Sequence, residues 1–421
     1  MLATRDGLLL GREVEAVGHV SEAKKVEQAN EQAAFDFFQR SVSSLPDPRR
    51  RQGTRYPLVS VVTIALMAMV CGCDDAEAMQ TWAEVNEEWL LGMLELPHGS
   101  PTQDVFLAVF AALNPEAFST VFRAWIACLR LRVSAEKHIA VDGKTSRRSF
   151  DTAGGRPAIH TVSAWLSDEG LVLGQRKTAD KSNEITAIPE LLRVLDLRAA
   201  TVTIDAMGCQ TEIAKTIVGG GGDYLLAVKE NQPTLHQDVA ATFVEAADER
   251  VRSLDDPPRP VVEVVQEVEK GHGRIEKRIV ELTRNLGWIT AAQRWPGLAF
   301  AVKVTRKRTI LATGKTSSET AYYIGSAAKL NAAGAARFIR RHWSIENELH
   351  WVLDMAFRED ESRHRSRNLA QNLTTLRHLA LNLLKRDPSR KLGIANSRKR
   401  AGWDRSYLVR ILGGEGAQDC A

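Results

Sequence analysis

The chain has 421 residues, 44% of them hydrophobic, which is enough to bury a sizeable core and predicts more than one domain. A net charge of only +4 excludes binding of an acidic partner through overall positive charge, so any such binding must depend on local basic patches. The five cysteines are sparse and contain no zinc-binding pattern, which is typical of a reduced, intracellular protein.

Helices alone are predicted in the first third of the chain. Residues 1–35 have no sustained periodicity and no secretory signal, and are expected to be weakly structured. In the helical domain predicted over residues 36–135, the apolar stretch 58–72 is shorter than the roughly 20 residues that span a bilayer, so we expect a buried helix and no membrane partner. Two later helices meet at Asn114-Pro115 and fit either a DNA-reading helix-turn-helix or simple helical packing.

Near residue 137 the pattern changes from helical to extended. Residues 136–235 predict an α/β unit in the order three strands, helix, strand, helix, strand. The predicted strands are 138–141, 158–166, 171–177, 201–204 and 224–228. From 236 to 330 the chain becomes β-rich without helical crossovers, helices resume over 331–388, and 389–421 is expected to be a basic, mobile tail.

Two aspartates occupy equivalent places at the ends of apolar strands. Asp142 ends the strand of IAVDGK and Asp205 ends the strand of TVTIDAMG. The carboxyl ends of adjacent strands in an open sheet form a ligand crevice. Two carboxylates there provide hard oxygen ligands for Mg²⁺ or Mn²⁺, whose charge offsets their mutual repulsion. The alternative is that each aspartate only forms a turn or caps a helix.

A third acid is expected from a helix that packs against the sheet. In residues 341–354 the apolar side chains recur every three or four positions, and Glu346, His350 and Asp354 share the neighbouring stripe. Glu346 is therefore expected beside the buried face, within reach of the sheet edge. A separate Glu-His-Asp metal site and an exposed salt-bridging face are the alternatives.

Eight segments carry a resemblance that extends from about residue 35 to residue 388. They are DPRRRQGTRYPL, IALMAMVCGCDDAEAMQTWAE, IAVDGKTSRRSFD, KSNEITAIPELL, TIDAMGCQ, YLLAVKENQPTL, RHWSIENELHWVLDMAFREDESRHR and NLTTLRHLALNLLK. In this order and spacing they resemble the DDE transposases of bacterial insertion sequences, in the group of H-repeat-associated proteins. The resemblance implies an α/β fold with an RNase H-like mixed-sheet catalytic core and a β-rich insertion, preceded by the all-helical N-terminal domain.

The resemblance also implies an activity. Asp142, Asp205 and Glu346 become the catalytic acids, holding two Mg²⁺ or Mn²⁺ ions. The expected reaction is cleavage and strand transfer of DNA at terminal inverted repeats and target DNA, by a homodimer on DNA in the bacterial cytoplasm, associated with the nucleoid. A nuclease that cuts without joining and a catalytically silent DNA-binding relic are the alternatives.

Basic and polar side chains near these acids are predicted to contact DNA. They are Lys144, Arg147, Arg148, Lys229, Asn231, Arg358, Arg363 and Arg365. Related transposases carry a tyrosine and an arginine before the glutamate and a lysine after it. This chain has Ile339, His342 and Leu353 at those offsets, and we expect Arg341, His342 and His350 to take their place.

Two further features are left open. Asn183 and Glu184 begin a helix whose N-terminus is suited to bind phosphate. Trp288 and Trp295 are candidates for stacking on a flipped base, with core packing as the alternative.

Overall fold

A computed structural model of the chain describes residues 39–49, 54–128, 137–150, 155, 157–178, 184–247, 260–387 and 392–413. The chain divides into two compact units, one spanning Arg132–Asp354 and the other combining Met1–Leu131 with Met355–Ala421. The segment predicted as the helical second part of the core, residues 331–388, is therefore divided at Asp354: residues 331–354 belong to the unit that contains the sheet, and the rest belong to the helical unit.

The helices and strands follow one another along the chain. In order they are α1 (Leu58–Val70), α2 (Ala76–Val85), α3 (Glu87–Leu91), α4 (Gln103–Ala112), α5 (Pro115–Cys128), β1 (Lys137–Thr145), β2 (His160–Leu166), β3 (Leu171–Lys177), α6 (Glu184–Leu192), β4 (Ala200–Ile204), α7 (Thr211–Gly219), β5 (Asp223–Val228), α8 (Pro233–Ala247), β6 (Val262–Gly271), β7 (Arg274–Thr283), β8 (Phe300–Ile310), β9 (Thr316–Gly325), α9 (Ala332–His342), α10 (Trp351–Phe357), α11 (Leu369–Arg386), α12 (Ile394–Trp403) and α13 (Arg405–Gly413).

The helical unit is built around α1. This helix is apolar on all sides and almost wholly buried, and α2, α4, α11 and α12 pack against it. Residues 392–413, which were predicted to be part of a mobile tail, instead form α12 and α13. Arg398 of α12 is only 3% exposed, and its guanidinium donates to the carbonyl of Met69 and to the carboxylate of Asp74. One of the basic residues of this segment, Arg398, therefore belongs to the buried core.

The helices α4 and α5 form a bent pair. They are separated by the predicted break at Asn114-Pro115 and meet at an angle of 93°. The side chain of Asn114 accepts hydrogen bonds from the N–H groups of Glu116 and Ala117, which caps the start of α5. In the described part of the chain no single helix is long and apolar enough to cross a membrane, although this bent pair passes the same test of length and composition together.

One nine-stranded sheet forms the other unit, in the order β3-β2-β1-β4-β5-β9-β8-β7-β6. β1, β4 and β5 are parallel, and β2 is antiparallel to both of its neighbours, β1 and β3. The helix α6 connects β3 to β4, and α7 connects β4 to β5. The predicted order of three strands, helix, strand, helix, strand is therefore confirmed.

The region predicted as a β-rich insertion continues the same sheet. β6 to β9 form an antiparallel meander, and β9 closes it onto β5 through pairs such as Leu225 with Gly325. The prediction of a region without helical crossovers from residue 236 is wrong at its start, because α8 occupies Pro233–Ala247. Leu235, Val239 and Phe243 recur every fourth residue and are buried, which is a helical period that the prediction overlooked.

Candidate active site

The two strand-end aspartates lie at the same edge of the sheet. Val141 and Ile204 are the last pair of the parallel β1–β4 ladder, so Asp142 and Asp205 follow it side by side. The prediction that β1 ends at Asp142 is wrong, because the strand continues to Thr145, paired with β2. The crevice expected at the carboxyl ends of adjacent strands is therefore open beside Asp142.

Asp205 also begins the 3-10 turn Ala206–Gly208. Its Oδ1 accepts hydrogen bonds from the N–H groups of Met207 at 3.1 Å and Gly208 at 3.3 Å. Asn231, three residues after the end of β5, donates from Nδ2 to the carbonyl of Ala206 at 2.7 Å and so holds the same turn. Asp205 therefore does cap a helical turn, which was the alternative interpretation, and these hydrogen bonds fix its carboxylate at the edge of the sheet.

A cavity of about 750 Å³ brings the three predicted acids together. Asp142, Asp205 and Glu346 all line it, as do Lys229 and His342. Residues that are far apart in the chain thus share one concave site, which is the usual form of a binding or catalytic centre.

The part of the cavity around the two strand-end aspartates is locally negative. Burial, followed by the charges of Asp205, Glu346 and Glu184, raises the pKa of Asp142 from 3.8 to about 7. Burial also raises the pKa of Asp205, and the charge of Glu184 adds to the effect, while Lys229 and the N–H groups of the turn oppose it. A bound cation would relieve this repulsion.

Glu346 lies on an irregular turn between α9 and α10. Residues Ile345–His350 form a π-helix, a feature that is frequent at functional sites. Ile345 and Leu349 are buried and Glu346 is exposed, as the apolar stripe predicted. His350 Nδ1 lies 3.5 Å from Asp142 Oδ2, and Asp354 Oδ1 lies 2.7 Å from Lys144 Nζ. The predicted stripe therefore faces β1.

The donor atoms suit a divalent cation. Among the described residues, no group of three or more histidine, cysteine, aspartate or glutamate side chains is close enough to hold a metal ion. Mg²⁺, however, keeps several waters and is commonly held by one or two carboxylates together with substrate phosphates. Asp142 and Asp205, whose pKa values are both raised, fit that chemistry.

Several predicted DNA contacts serve other purposes near the acids. Arg341 donates to the carbonyl of Ser167 at 2.9 Å and pairs with Asp168 at 2.8 Å, so it binds the turn between β2 and β3. His342 Nδ1 lies 2.9 Å from Thr203 Oγ1, and burial lowers its pKa to about 4. Its ring is neutral at pH 7, so the predicted contact of His342 with phosphate, which stays a prediction, would be a hydrogen bond from an uncharged ring.

The remaining predicted contacts lie outside this cavity. Arg147 and Arg148 are exposed after the end of β1 and do not line it. Arg358, Arg363 and Arg365 belong to the helical unit. Arg358 adopts a left-handed backbone with φ of 49° and forms an ion pair with Glu361.

An arginine-rich wall of the same cavity, which we call the arginine face, was not predicted from the sequence. Its members are Arg274 and Arg278 on β7, Arg306 and Arg308 on β8, and Arg340 on α9. Four of these arginines already pair with carboxylates: Glu276 pairs with Arg274, Arg278 and Arg308, and Glu269 pairs with Arg278 and Arg340. Arg278 and Arg306 are directly opposite each other across the β7–β8 ladder, an arrangement that repulsion disfavours. Their spacing of two or four residues along each strand was the available signal.

Three other side chains have positions that bear on their predicted roles or on the cavity. Trp295 is 4% exposed, so the alternative of core packing is confirmed for it, whereas Trp343 is half-exposed and lines the cavity. Glu184, at the start of the helix whose N-terminus was considered for phosphate binding, is 8% exposed, and its carboxylate contacts His160.

Two family models match the chain. The model described as "Transposase DDE domain" matches residues 134–383, and the model described as "DDE_Tnp_1-associated" matches residues 40–126.

Similar proteins occur in Escherichia coli (strain K12). YbfL is 36% identical over 380 residues, covering 89% of this chain and 97% of YbfL. YhhI, whose name places it among H repeat-associated transposases, is 35% identical over 380 residues with the same coverage of 89% and 97%. A solved piggyBac transposase synaptic complex with hairpin DNA aligns with 90% of this chain and 80% of its own at 10% identity and a TM-score of 0.37, which adds nothing to the assignment.

Proposed function

The chain belongs to the family of transposases with a DDE domain, and on that premise we propose that it cleaves DNA at the ends of an insertion sequence and joins those ends to target DNA. Asp142, Asp205 and Glu346 are proposed as the catalytic acids. The observation that carries this proposal is that three acids from distant parts of the chain line one cavity.

An RNase H-like core is part of the proposal. It is supported by the strand order β3-β2-β1-β4-β5, in which only β2 among the inner strands runs against its neighbours, and by the helical crossovers α6 and α7. In this proposal Asp142 and Asp205, which follow the last pair of the parallel β1–β4 ladder, face the DNA phosphate that is cleaved. We also propose that the helical domain over residues 36–135 reads the DNA ends.

The chemistry requires hard cations, for which Mg²⁺ or Mn²⁺, in a pair, is proposed. Such ions, when bound, lower the pKa of an attacking water or 3′-hydroxyl and stabilise the departing oxygen. Asp142 and Asp205 supply fixed oxygen ligands, and Glu346 supplies a third from the exposed side of its turn. The charge of Lys229 lowers the pKa of Asp205 and so opposes part of the rise that burial causes.

DNA is the proposed partner, and the arginine face is its proposed contact beside the acids. Arg278 and Arg306 lie opposite each other, and Glu269 and Glu276 offset their repulsion at Arg278. A DNA backbone would supply further anions at regular spacing. Lys144, Arg147, Arg148, Lys229 and Asn231 on the sheet unit and Arg358, Arg363 and Arg365 on the helical unit remain proposed contacts. A homodimer that pairs two DNA ends is proposed from the reaction itself.

Replacement of one acid tests the assignment. Asp205→Asn keeps the cap of the 3-10 turn but removes the charge, so Mg²⁺-dependent cleavage of end-bearing DNA should be abolished while DNA binding, followed by fluorescence anisotropy, persists. Normal cleavage by the variant would contradict the assignment.

A second assay separates the alternatives. Pre-cleaved ends with free 3′-hydroxyls should be joined to target DNA by the wild type. Cleavage without joining would favour a metal-dependent nuclease, and DNA binding without Mg²⁺-dependent cleavage would favour a catalytically silent relic.

A further inference from the structure

A buried carboxylate lies behind the two aspartates, on the opposite face of the sheet. Neighbouring residues of a strand point to opposite faces, so the positions of Asp142 and Gly143 on β1 face opposite sides. On the Gly143 side, the carboxylate of Glu184 at the start of α6 contacts Nε2 of His160 on β2. A Cβ atom at Gly143 would lie 2.4 Å from Oε1 of Glu184 and 2.5 Å from Nε2 of His160. The glycine therefore admits this pair against the backbone of β1.

The histidine has a partner at each ring nitrogen. Its Nδ1 lies 2.7 Å from Oγ1 of Thr145, and its Nε2 faces Glu184. The Nε2–H can donate to the Glu184 carboxylate while Nδ1 and the Thr145 hydroxyl share a hydrogen bond, so both ring nitrogens are satisfied. Among the residues that the structure describes, no lysine or arginine forms an ion pair with Glu184.

Oε1 of Glu184 lies 2.4 Å from the place where a Cβ of Gly143 would be, so the carboxylate lies against β1 at the residue next to Asp142. Burial raises the pKa of both Asp142 and Asp205, and the charge of Glu184 raises both further. Glu184 and His160 are 8% and 3% exposed, so little water screens this interaction. When no cation is bound, repulsion between a buried carboxylate and two others destabilises the folded chain. A cation that binds beside them relieves this repulsion, so the third carboxylate strengthens cation binding.

We propose that Glu184 is a positioning residue that strengthens binding of a divalent cation at Asp142 and Asp205 by its charge, without itself touching the ion. His160 and Thr145 hold the carboxylate in place, and Gly143 leaves the space for it. The inference rests on the proposed function, because it requires a cation at those two aspartates.

Titration of Mn²⁺ into the full-length chain tests the proposal, with calorimetry and the loss of the free-ion paramagnetic resonance signal as readouts. Glu184→Gln preserves the shape and the acceptor for His160 Nε2–H but removes the charge, and is expected to weaken Mn²⁺ binding about tenfold, as is common for residues around metal ligands. Glu184→Asp keeps the charge and should retain most of the affinity. The matched control, Glu190→Gln on the same helix, removes a half-exposed carboxylate paired with Arg176 and should leave Mn²⁺ binding unchanged.

Two results would overturn the proposal. One is wild-type Mn²⁺ affinity in Glu184→Gln, and the other is an equal loss in Glu184→Gln and Glu184→Asp together with a lower melting temperature, which would assign Glu184 to packing. Asp205→Asn separates this failure from failure of the proposed function. If Asp205→Asn abolishes Mn²⁺ binding and Glu184→Gln does not weaken it, only the role of Glu184 is refuted. If Asp205→Asn binds Mn²⁺ like the wild type, the cation site itself is refuted.

Discussion

In the absence of metal, Asp142→Asn should stabilise the protein, and the gain should grow with pH. The carboxyl of Asp142 is held in a cavity whose burial and neighbouring charges raise its pKa from 3.8 to about 7. At 1.36 kcal/mol per pKa unit, this shift corresponds to a destabilisation of about 4 kcal/mol when the group is ionised in the folded chain. Asparagine keeps the shape and carries no charge, so it removes this penalty.

The sign follows from proton uptake in the two states. Below about pH 4 the carboxyl is protonated in both the folded and the unfolded chain, and the variant gains nothing. Between about pH 4 and pH 7 the unfolded chain releases the proton that the folded chain keeps, so the free energy of unfolding of the wild type falls as pH rises. Above about pH 7 the penalty is complete.

Urea denaturation in EDTA at a series of pH values from 4 to 8.5 measures the effect. The free energies of unfolding of the wild type and Asp142→Asn should converge at the acid end and diverge towards the alkaline end. Glu190→Gln, which alters a half-exposed carboxylate, should give a curve parallel to the wild type. Parallel curves for Asp142→Asn and the wild type would refute the reasoning, because they would mean that the Asp142 carboxyl titrates alike in both states.

Three further changes have defined outcomes. Gly143→Ala forces a Cβ into the contact of Glu184 with His160 and should lower stability by about 1–3 kcal/mol in thermal unfolding, whereas Gly219→Ala, whose Cβ meets nothing within 4 Å, should not. Arg306→Ala should weaken binding of DNA of every sequence and lower the slope of log affinity against log salt by about 1, and an unchanged slope would remove Arg306 from the proposed contact. Trp295→Ala should destabilise the sheet unit by about 3–5 kcal/mol without changing DNA affinity at a temperature where it stays folded, and a specific loss of DNA affinity would instead favour base stacking.

The strands of residues 136–235 and their order along the chain could be predicted from the sequence, because local patterns of apolar residues specify them. Apolar runs that end at Asp142 and Asp205 predicted two adjacent strand ends, and the β1–β4 register puts the two residues side by side. The stripe that placed Glu346 beside a buried face also holds, since Ile345 and Leu349 are buried. Periodicity reports which face of an element is covered, and this information was sufficient for these positions.

The contact partners of individual polar side chains could not be predicted from the sequence, because these contacts join segments that are distant in the chain. His342 is neutral because Thr203 and the sheet bury it, and no pattern near His342 indicates this. Arg398 sits in a basic segment, yet its partners Met69 and Asp74 are more than 300 residues away in sequence. Charge composition alone cannot distinguish a core arginine from one that is free to meet a ligand.

The position of β9 has a consequence for synthesis of the chain. β5 pairs with β9, and Leu225 pairs with Gly325, which is synthesised 100 residues later, so the β5–β9 ladder cannot form until then. Pairings between such distant segments are slow to form, and an unpaired strand edge invites association with other chains. A nascent or truncated chain that ends before Thr316 exposes the edge of β5 and also lacks the strand that joins the arginine face to the acids. Premature termination in this stretch should therefore yield aggregating fragments rather than weakened enzyme.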